Sequence, residues 1–145
     1  MWLTSEPLNG TSVLSHVGAP EDGAVLLFLG TVRDHNDGRP VTGMRYDAYV
    51  AMAERVLADI AEEAAIRLGT PRIALAHRVG QLGVGEVSVA IAVSSPHRSE
   101  SFDAGRYVIE EIKRRLPVWK QEHYTDGSAD WVPGMTPPAP EMAHE

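Results

Sequence analysis

The chain contains no cysteine. That excludes disulfides, thiolate metal sites, a cysteine nucleophile and any persulfide carried by the protein itself. Basic residues are in deficit, 13 against 20 acidic, for a net charge of −7. A field of that sign repels polyanions, so general nucleic-acid binding and membrane-surface binding are disfavoured, and any anion site has to be local. No apolar run approaches the ~20 residues that a membrane-spanning helix needs. The opening MWLTSEPLNG has neither the basic start nor the apolar core of a signal peptide, so the expectation is a cytoplasmic protein with no membrane contact. The histidines, at 16, 35, 77, 97, 123 and 144, show neither H-x-H nor H-x-x-x-H spacing. With cysteine absent as well, neither a protein-held zinc nor a cofactor is expected. GQLGVGE has three glycines, but it lies between two predicted strands rather than before a helix, which favours a turn over a nucleotide loop.

At 145 residues the chain is one domain, large enough to bury about two thirds of its unfolded surface. AVLLFLGTVR, residues 24–33, is apolar and then polar, as in a central strand whose far end emerges into solvent at Arg33. The turn cluster DHNDGRP follows, and VTGMRYDAYV alternates Met44, Tyr46 and Ala48 with Arg45, Asp47 and Tyr49. These two segments are expected to form a hairpin. Val56, Ile60, Ala64 and Leu68 recur at helical spacing over 51–68, and Gly69 and Pro71 mark the stop. RIALAHRVG, the loop QLGVG and EVSVAIAVSS read as a second hairpin with Val87, Val89, Ile91 and Val93 on one face. A second helix carries the stripe Phe102, Gly105, Ile109, Ile112 and Leu116, with Arg106 and Lys113 along its edge. VWKQEHY and DWV, joined by TDGSA, suggest a last short hairpin. The expected fold class is α+β, an antiparallel sheet with helices packed on it, spanning residues 1–132. The Pro-rich tail, 133–145, is expected to be disordered.

Two junctions concentrate polar chemistry. SSPHRSES takes a buried strand into His97 and Arg98 at a helix start. There free amides and the helix dipole can hold a phosphate or carboxylate, or the stretch is simply a Ser-capped helix with solvated side chains. KRRLPVWKQE places Lys113 and Lys120 seven positions apart. A continuous helix would align them, but Pro117 forbids one, so Lys113 ends a helix and Lys120 begins an extended segment beside Trp119. Either the two ammonium groups share a partly dry pocket, where one acts in proton transfer, or they are solvated charges at the negative end of a helix dipole.

FLGTVRDHNDG, YDAYVAMAE, HRVGQLGVGE, SSPHRSESFDAG and KRRLPVWKQE, in this order, resemble the catalytic large subunit of molybdopterin synthase. The likeness covers roughly residues 23 to 132, and its specificity comes from the order of the blocks, since each alone is weak. It implies an α/β-hammerhead fold and a sulfurtransferase of molybdenum cofactor biosynthesis. In that reaction cyclic pyranopterin monophosphate becomes molybdopterin by receiving two sulfurs from the C-terminal thiocarboxylate of a small ubiquitin-like partner ending in Gly-Gly. The resemblance also implies a homodimer that forms a heterotetramer with that partner. It makes Lys113 and Lys120 the catalytic candidates and Arg33, His97 and Arg98 the contacts to the anionic pterin. Thr31, Val32, Gln121, Glu122 and Arg106 complete the substrate-binding candidates. Asp47, where this family often has Glu, and Pro96, where a small residue is usual, are mild departures. Two other readings stay open on the residues alone: a dimeric module that binds a small anion through His97 and Arg98, and an adaptor that receives a partner's C-terminal tail.

Overall fold

A computed structural model of the chain describes residues 2–70 and 72–131. In chain order the elements are β1 (Trp2–Thr4), α1 (Gly10–Leu14), β2 (Ala24–Thr31), β3 (His35–Asn36), β4 (Arg39–Ala48), α2 (Val50–Leu68), β5 (Arg72–Arg78), β6 (Gly80–Gly83), β7 (Val87–Ser95), α3 (Arg98–Arg115), β8 (Val118–Tyr124) and β9 (Ala129–Trp131). Pro71 and the 133–145 tail lie outside the described residues.

The strands divide between two sheets according to their hydrophobic patterning. One sheet has the order β1-β5-β7-β2, antiparallel except for the parallel pairing of β1 with β5. Its near-continuous apolar strands β5 and β7 are covered on both faces, as such runs require, while β2 at the edge stays partly exposed. Val89, Ile91 and Val93 pack toward Leu57 and Ile60 of α2 and Val108 of α3, while Ala90 and Ala92 meet Ala74, Ala76 and Val13 of α1 on the other face. The second sheet joins β3, β4, β8 and β9, with β6 on the other side of β4. There Met44 and Tyr46 are buried and Arg45 is exposed, the alternation of a sheet with one wet face.

The expected hairpin between 24–33 and 41–50 does not form. β2 pairs with β7, and β4 pairs with β6 and β8. The reversal is used up locally: Asp37 and Gly38 both take positive φ, 49° and 78°, so DHNDGRP closes a two-residue turn between β3 and β4. The continuously apolar β2 then joins the similarly apolar β7, and the alternating β4 goes to the half-exposed sheet. The expected β5–β7 and β8–β9 hairpins are present, but the loop QLGVG contains β6, a strand too short and glycine-rich to show a period. Gly43 is what lets β6 approach β4, because a Cβ there would lie 2.6 Å from the Leu82 carbonyl oxygen.

Val87 does not share a face with Val89. β2 pairs Gly30 with Val89 and Thr31 with Val87, so Ser88 is the extra residue of a bulge. Helix α3 also starts earlier than the stripe implies, and its buried side is Ser101, Ala104, Gly105, Val108 and Ile112. Phe102 is left 61% exposed. α3 lies close on β2 because position 105 has no side chain: a Cβ would come within 2.4 Å of Leu26 Cδ2. Gly69 caps α2 in the left-handed region. α3 stops at Arg115, and Leu116 turns extended before Pro117, as the sequence requires.

Candidate active site

The helix break at Pro117 folds β8 back beside the end of α3, and this brings the two lysines together. Tyr46 of β4 is the register partner of Lys120. Along β8 the residues alternate, so Val118, Lys120, Glu122 and Tyr124 face the side of Met44 and Tyr46. Lys113 and Lys120 line one cavity of about 160 Å³, whose other walls include Phe28, Gly30 and Thr31 of β2, Tyr46, His77 of β5, and Ser88. The bulge at Ser88 turns that hydroxyl into the site, where it donates to the Gly30 carbonyl oxygen at 3.2 Å. Tyr46 is hydrogen-bonded with Ser88, and its burial raises the phenol above its ordinary value.

Electrostatics make the two ammonium groups unequal. Lys113 is exposed on the last turn of α3, whereas Lys120 is half-buried. Burial lowers the Lys120 pKa from its ordinary value; Lys113 and Arg33 lower it further, and only Glu122 opposes them. The Glu122 carboxylate is itself buried and accepts hydrogen bonds from Asn36 Nδ2 at 2.6 Å and from the Tyr124 hydroxyl at 3.3 Å. It also lines an adjacent polar cavity of about 370 Å³ with Arg39, Asp130 and Trp131.

The remaining sequence candidates divide. Arg33 is exposed just beyond the end of β2 and acts electrostatically on Lys120. Thr31 lines the cavity, but Val32 is a core side chain packed with Met44, Tyr46 and Leu82. Gln121 falls on the opposite face of β8 from Lys120, bonded to His123 at 3.1 Å. Arg106 stands on the exposed face of α3, 3.9 Å from Glu110. His97 and Arg98 lie at the other end of β2: the register sets Ala24 against Ser95 and Thr31 against Val87, so roughly 23 Å of strand separates them from the cavity. Within one chain Arg33 and the His97–Arg98 pair therefore do not meet on one phosphate. The helix cap there is His97 rather than a serine, and its carbonyl accepts from Ser95 Oγ at 2.6 Å.

Sequence reasoning missed His77, Tyr46 and Ser88. Their only sequence signal is a polar residue interrupting an otherwise apolar strand, the His of RIALAHRVG and the Ser of VSVAIAV. Among the described residues no group of three or more His, Cys, Asp or Glu is placed to hold a metal ion.

Comparison with known proteins points to one family. The family model described as MoaE protein matches residues 3–115. The chain belongs to the MoaE family. It is 44% identical over 130 residues to molybdopterin synthase catalytic subunit 1 of Mycobacterium tuberculosis, covering 90% of this chain and 88% of that one. Among solved structures, molybdopterin synthase from Staphylococcus aureus superposes with a TM-score of 0.85 at 36% identity, over 90% of this chain and 95% of that one. A Helicobacter pylori structure, a protein–protein complex of subunits 1 and 2 of molybdopterin-converting factor, shares the fold at a TM-score of 0.75 and 21% identity, over 94% and 92% of the two chains. Lys113 falls inside the stretch that the MoaE model matches, and Lys120 follows it on β8. No helix among the described residues of this MoaE-family chain is long and apolar enough to cross a membrane.

Proposed function

We infer that the chain is the catalytic subunit of a molybdopterin synthase, a cytoplasmic sulfurtransferase of molybdenum cofactor biosynthesis. It takes sulfur from the C-terminal thiocarboxylate of a small ubiquitin-like partner and installs it on cyclic pyranopterin monophosphate. The observation that carries this reading is the convergence of Lys113 and Lys120 at one half-buried cavity in a MoaE-family fold, with the Arg33 charge close enough to act on Lys120. Three cations in a protein of net charge −7 form the local anion site that the composition demands. They attract both anionic reactants and stabilise charge that develops as sulfur attacks. Lys120, whose pKa burial and the neighbouring cations lower, is the one we assign to proton transfer. A chain with no cysteine has to receive sulfur from another molecule, which fits a thiocarboxylate partner. A Gly-Gly terminus suits a narrow cavity because it has no side chains to exclude.

The same reading includes a homodimer. β2 is the edge strand of its sheet and exposes Val25, Phe28 and Leu29, with Phe102 of α3 also exposed. A two-fold contact that runs β2 antiparallel to its copy sets the Ala24 end of one chain beside the Thr31 end of the other. His97 and Arg98 of one copy then approach the lysine cavity of its partner, supplying the phosphate contacts that one chain cannot bring there.

The test is turnover: the purified chain, the partner thiocarboxylate and the cyclic pterin should give a dithiolene product, and inorganic sulfide without the partner should not. Absence of product with a charged partner would favour a binding module or an adaptor. Full-rate product from sulfide alone would remove the partner from the reaction.

A further inference from the structure

The junction where β7 runs into α3 is built from buried hydroxyls. Ser94 and Ser95 end β7, Ser101 lies in the first turn of α3, and all three are buried. Ser95 Oγ donates to the His97 carbonyl oxygen at 2.6 Å and lies 2.5 Å from Ser101 Oγ. A serine hydroxyl has one hydrogen, so with Ser95 donating to His97 it is Ser101 that donates to Ser95. One residue earlier, the Pro96 carbonyl oxygen accepts from the Gly23 amide at 3.2 Å, and a Cβ on residue 23 would lie 2.7 Å from that oxygen. Gly23 is held in turn by its neighbour Asp22, whose side chain is 1% exposed. The Asp22 carboxylate accepts from Arg72 Nη2 and from Ser94 Oγ, each at 2.6 Å, and from Arg72 Nε. The peptide planes on both sides of His97 are therefore pinned, one through Gly23 and the other through Ser95. The side chains are not: His97 and Arg98 are exposed, neither has a hydrogen-bond or ion-pair partner among the described residues, and the His97 ring does not cap the helix it begins.

We propose that Ser95 is a positioning residue for the substrate contacts: by holding the His97 carbonyl it sets the directions in which the His97 and Arg98 side chains leave the backbone, so that the pair meets the anionic substrate already oriented. The need is physical. Two exposed side chains on a loose junction would have both backbone and rotamer freedom to lose when substrate binds, and that loss weakens affinity. Pinning two successive carbonyls moves the backbone part of the ordering from the binding step to the folding step. Stability alone does not call for this chain of hydroxyls, since replacing both partners of a buried hydrogen bond by apolar groups is nearly neutral. An apolar pair at 95 and 101 could fill the space but could not hold the His97 carbonyl.

This role rests on the reading of His97 and Arg98 as contacts to the anionic pterin, and the experiment separates the two. In the full chain, binding of the cyclic pterin is measured by calorimetry with no thiocarboxylate present, and the mobility of the His97 and Arg98 amides by nitrogen relaxation. Ser95→Ala and Ser101→Ala each break the same buried chain and should lose comparable stability, but only Ser95→Ala frees the His97 carbonyl. It should lower the order parameters of the two amides from about 0.85 toward about 0.6 and weaken pterin binding about tenfold, the scale of one hydrogen bond. Its kcat at saturating pterin should stay within about twofold of wild type. Gly23→Ala, which displaces the Pro96 carbonyl, should weaken binding likewise, whereas Ser101→Ala should leave binding and both amides as in wild type. Added to Arg98→Ala, Ser95→Ala should weaken binding by much less than tenfold, because one of the groups it orients is gone. Rigid amides in Ser95→Ala, equal losses of binding in Ser95→Ala and Ser101→Ala, or full additivity with Arg98→Ala would overturn the proposal. If Arg98→Ala itself bound the pterin as wild type does while Ser95→Ala loosened the amides, it would be the assignment of the pair to the substrate that had failed.

Discussion

Acid stability offers a direct measure of how His77 is held. The ring is neutral in the fold, with a pKa of about 4 against the ordinary 6.5, and in the unfolded chain it returns to the ordinary value. Between those two values the unfolded state binds a proton that the folded state refuses, so stability falls as pH falls through this window and is fully present above pH ~6.5. The whole gap, about 2.5 pH units, is worth about 3 kcal/mol at about 1.4 kcal/mol per unit. Between pH 7 and pH 5 the loss is about 2 kcal/mol, a large share of the 5–15 kcal/mol typical of a domain. Urea unfolding at fixed protein concentration, followed by circular dichroism at pH 7, 6 and 5, reads the slope directly. The glutamine of His77→Gln does not titrate and should flatten the slope by about 2 kcal/mol over that range, whatever the variant's stability at pH 7. Carboxylates that are paired in the fold, such as Glu63 with its pKa of about 2, lose their contribution at lower pH and do so equally in both proteins. An identical slope in wild type and His77→Gln would show that the ring titrates normally in the fold, and the argument for a buried neutral ring would collapse.

Lys113→Ala and Lys120→Ala should each lower turnover by about two orders of magnitude with a melting temperature close to wild type, since neither makes an ion pair among those in the described structure; near-normal turnover in both would return them to the role of a solvated helix end. Arg98→Ala and Lys120→Ala, each inactive alone, should regain turnover when mixed and allowed to exchange subunits, because a mixed dimer rebuilds one intact cavity; no recovery after proven exchange would place the anion contacts within one chain. Gly43→Ala should destabilise the fold by about 1–3 kcal/mol in urea titrations, because its Cβ meets the Leu82 carbonyl oxygen at 2.6 Å and backbone cannot step aside as a side-chain tip can; wild-type stability would mean that β6 is not held as described.

The C-terminal limits of α2 and α3 belong to the sequence, whereas the short α1 and the start of α3 were not read from it. Gly69 stops α2 with a left-handed cap, and Pro117 stops α3 through the extended Leu116; both are local steric rules that no tertiary contact has to enforce. So is the relation between the lysines, since a helix that must end between them forces a reversal. Composition alone also decides that this chain, without cysteine, carries no sulfur as a persulfide. Strand partnership was different. β2 and β4 are near neighbours in sequence and each reads correctly as a strand, yet the choice of β7 for one and β8 for the other depends on which faces are covered by helices, a property of the whole fold. The same non-local choice put His97 and Arg98 at the far end of β2 from Arg33, although all three read as anion contacts. It also created the His77 wall of the cavity. A histidine in an apolar strand carries no sign of what it faces, and only the packing of β5 against the second sheet set its ring between the Arg78 carbonyl, Tyr46 and Lys120.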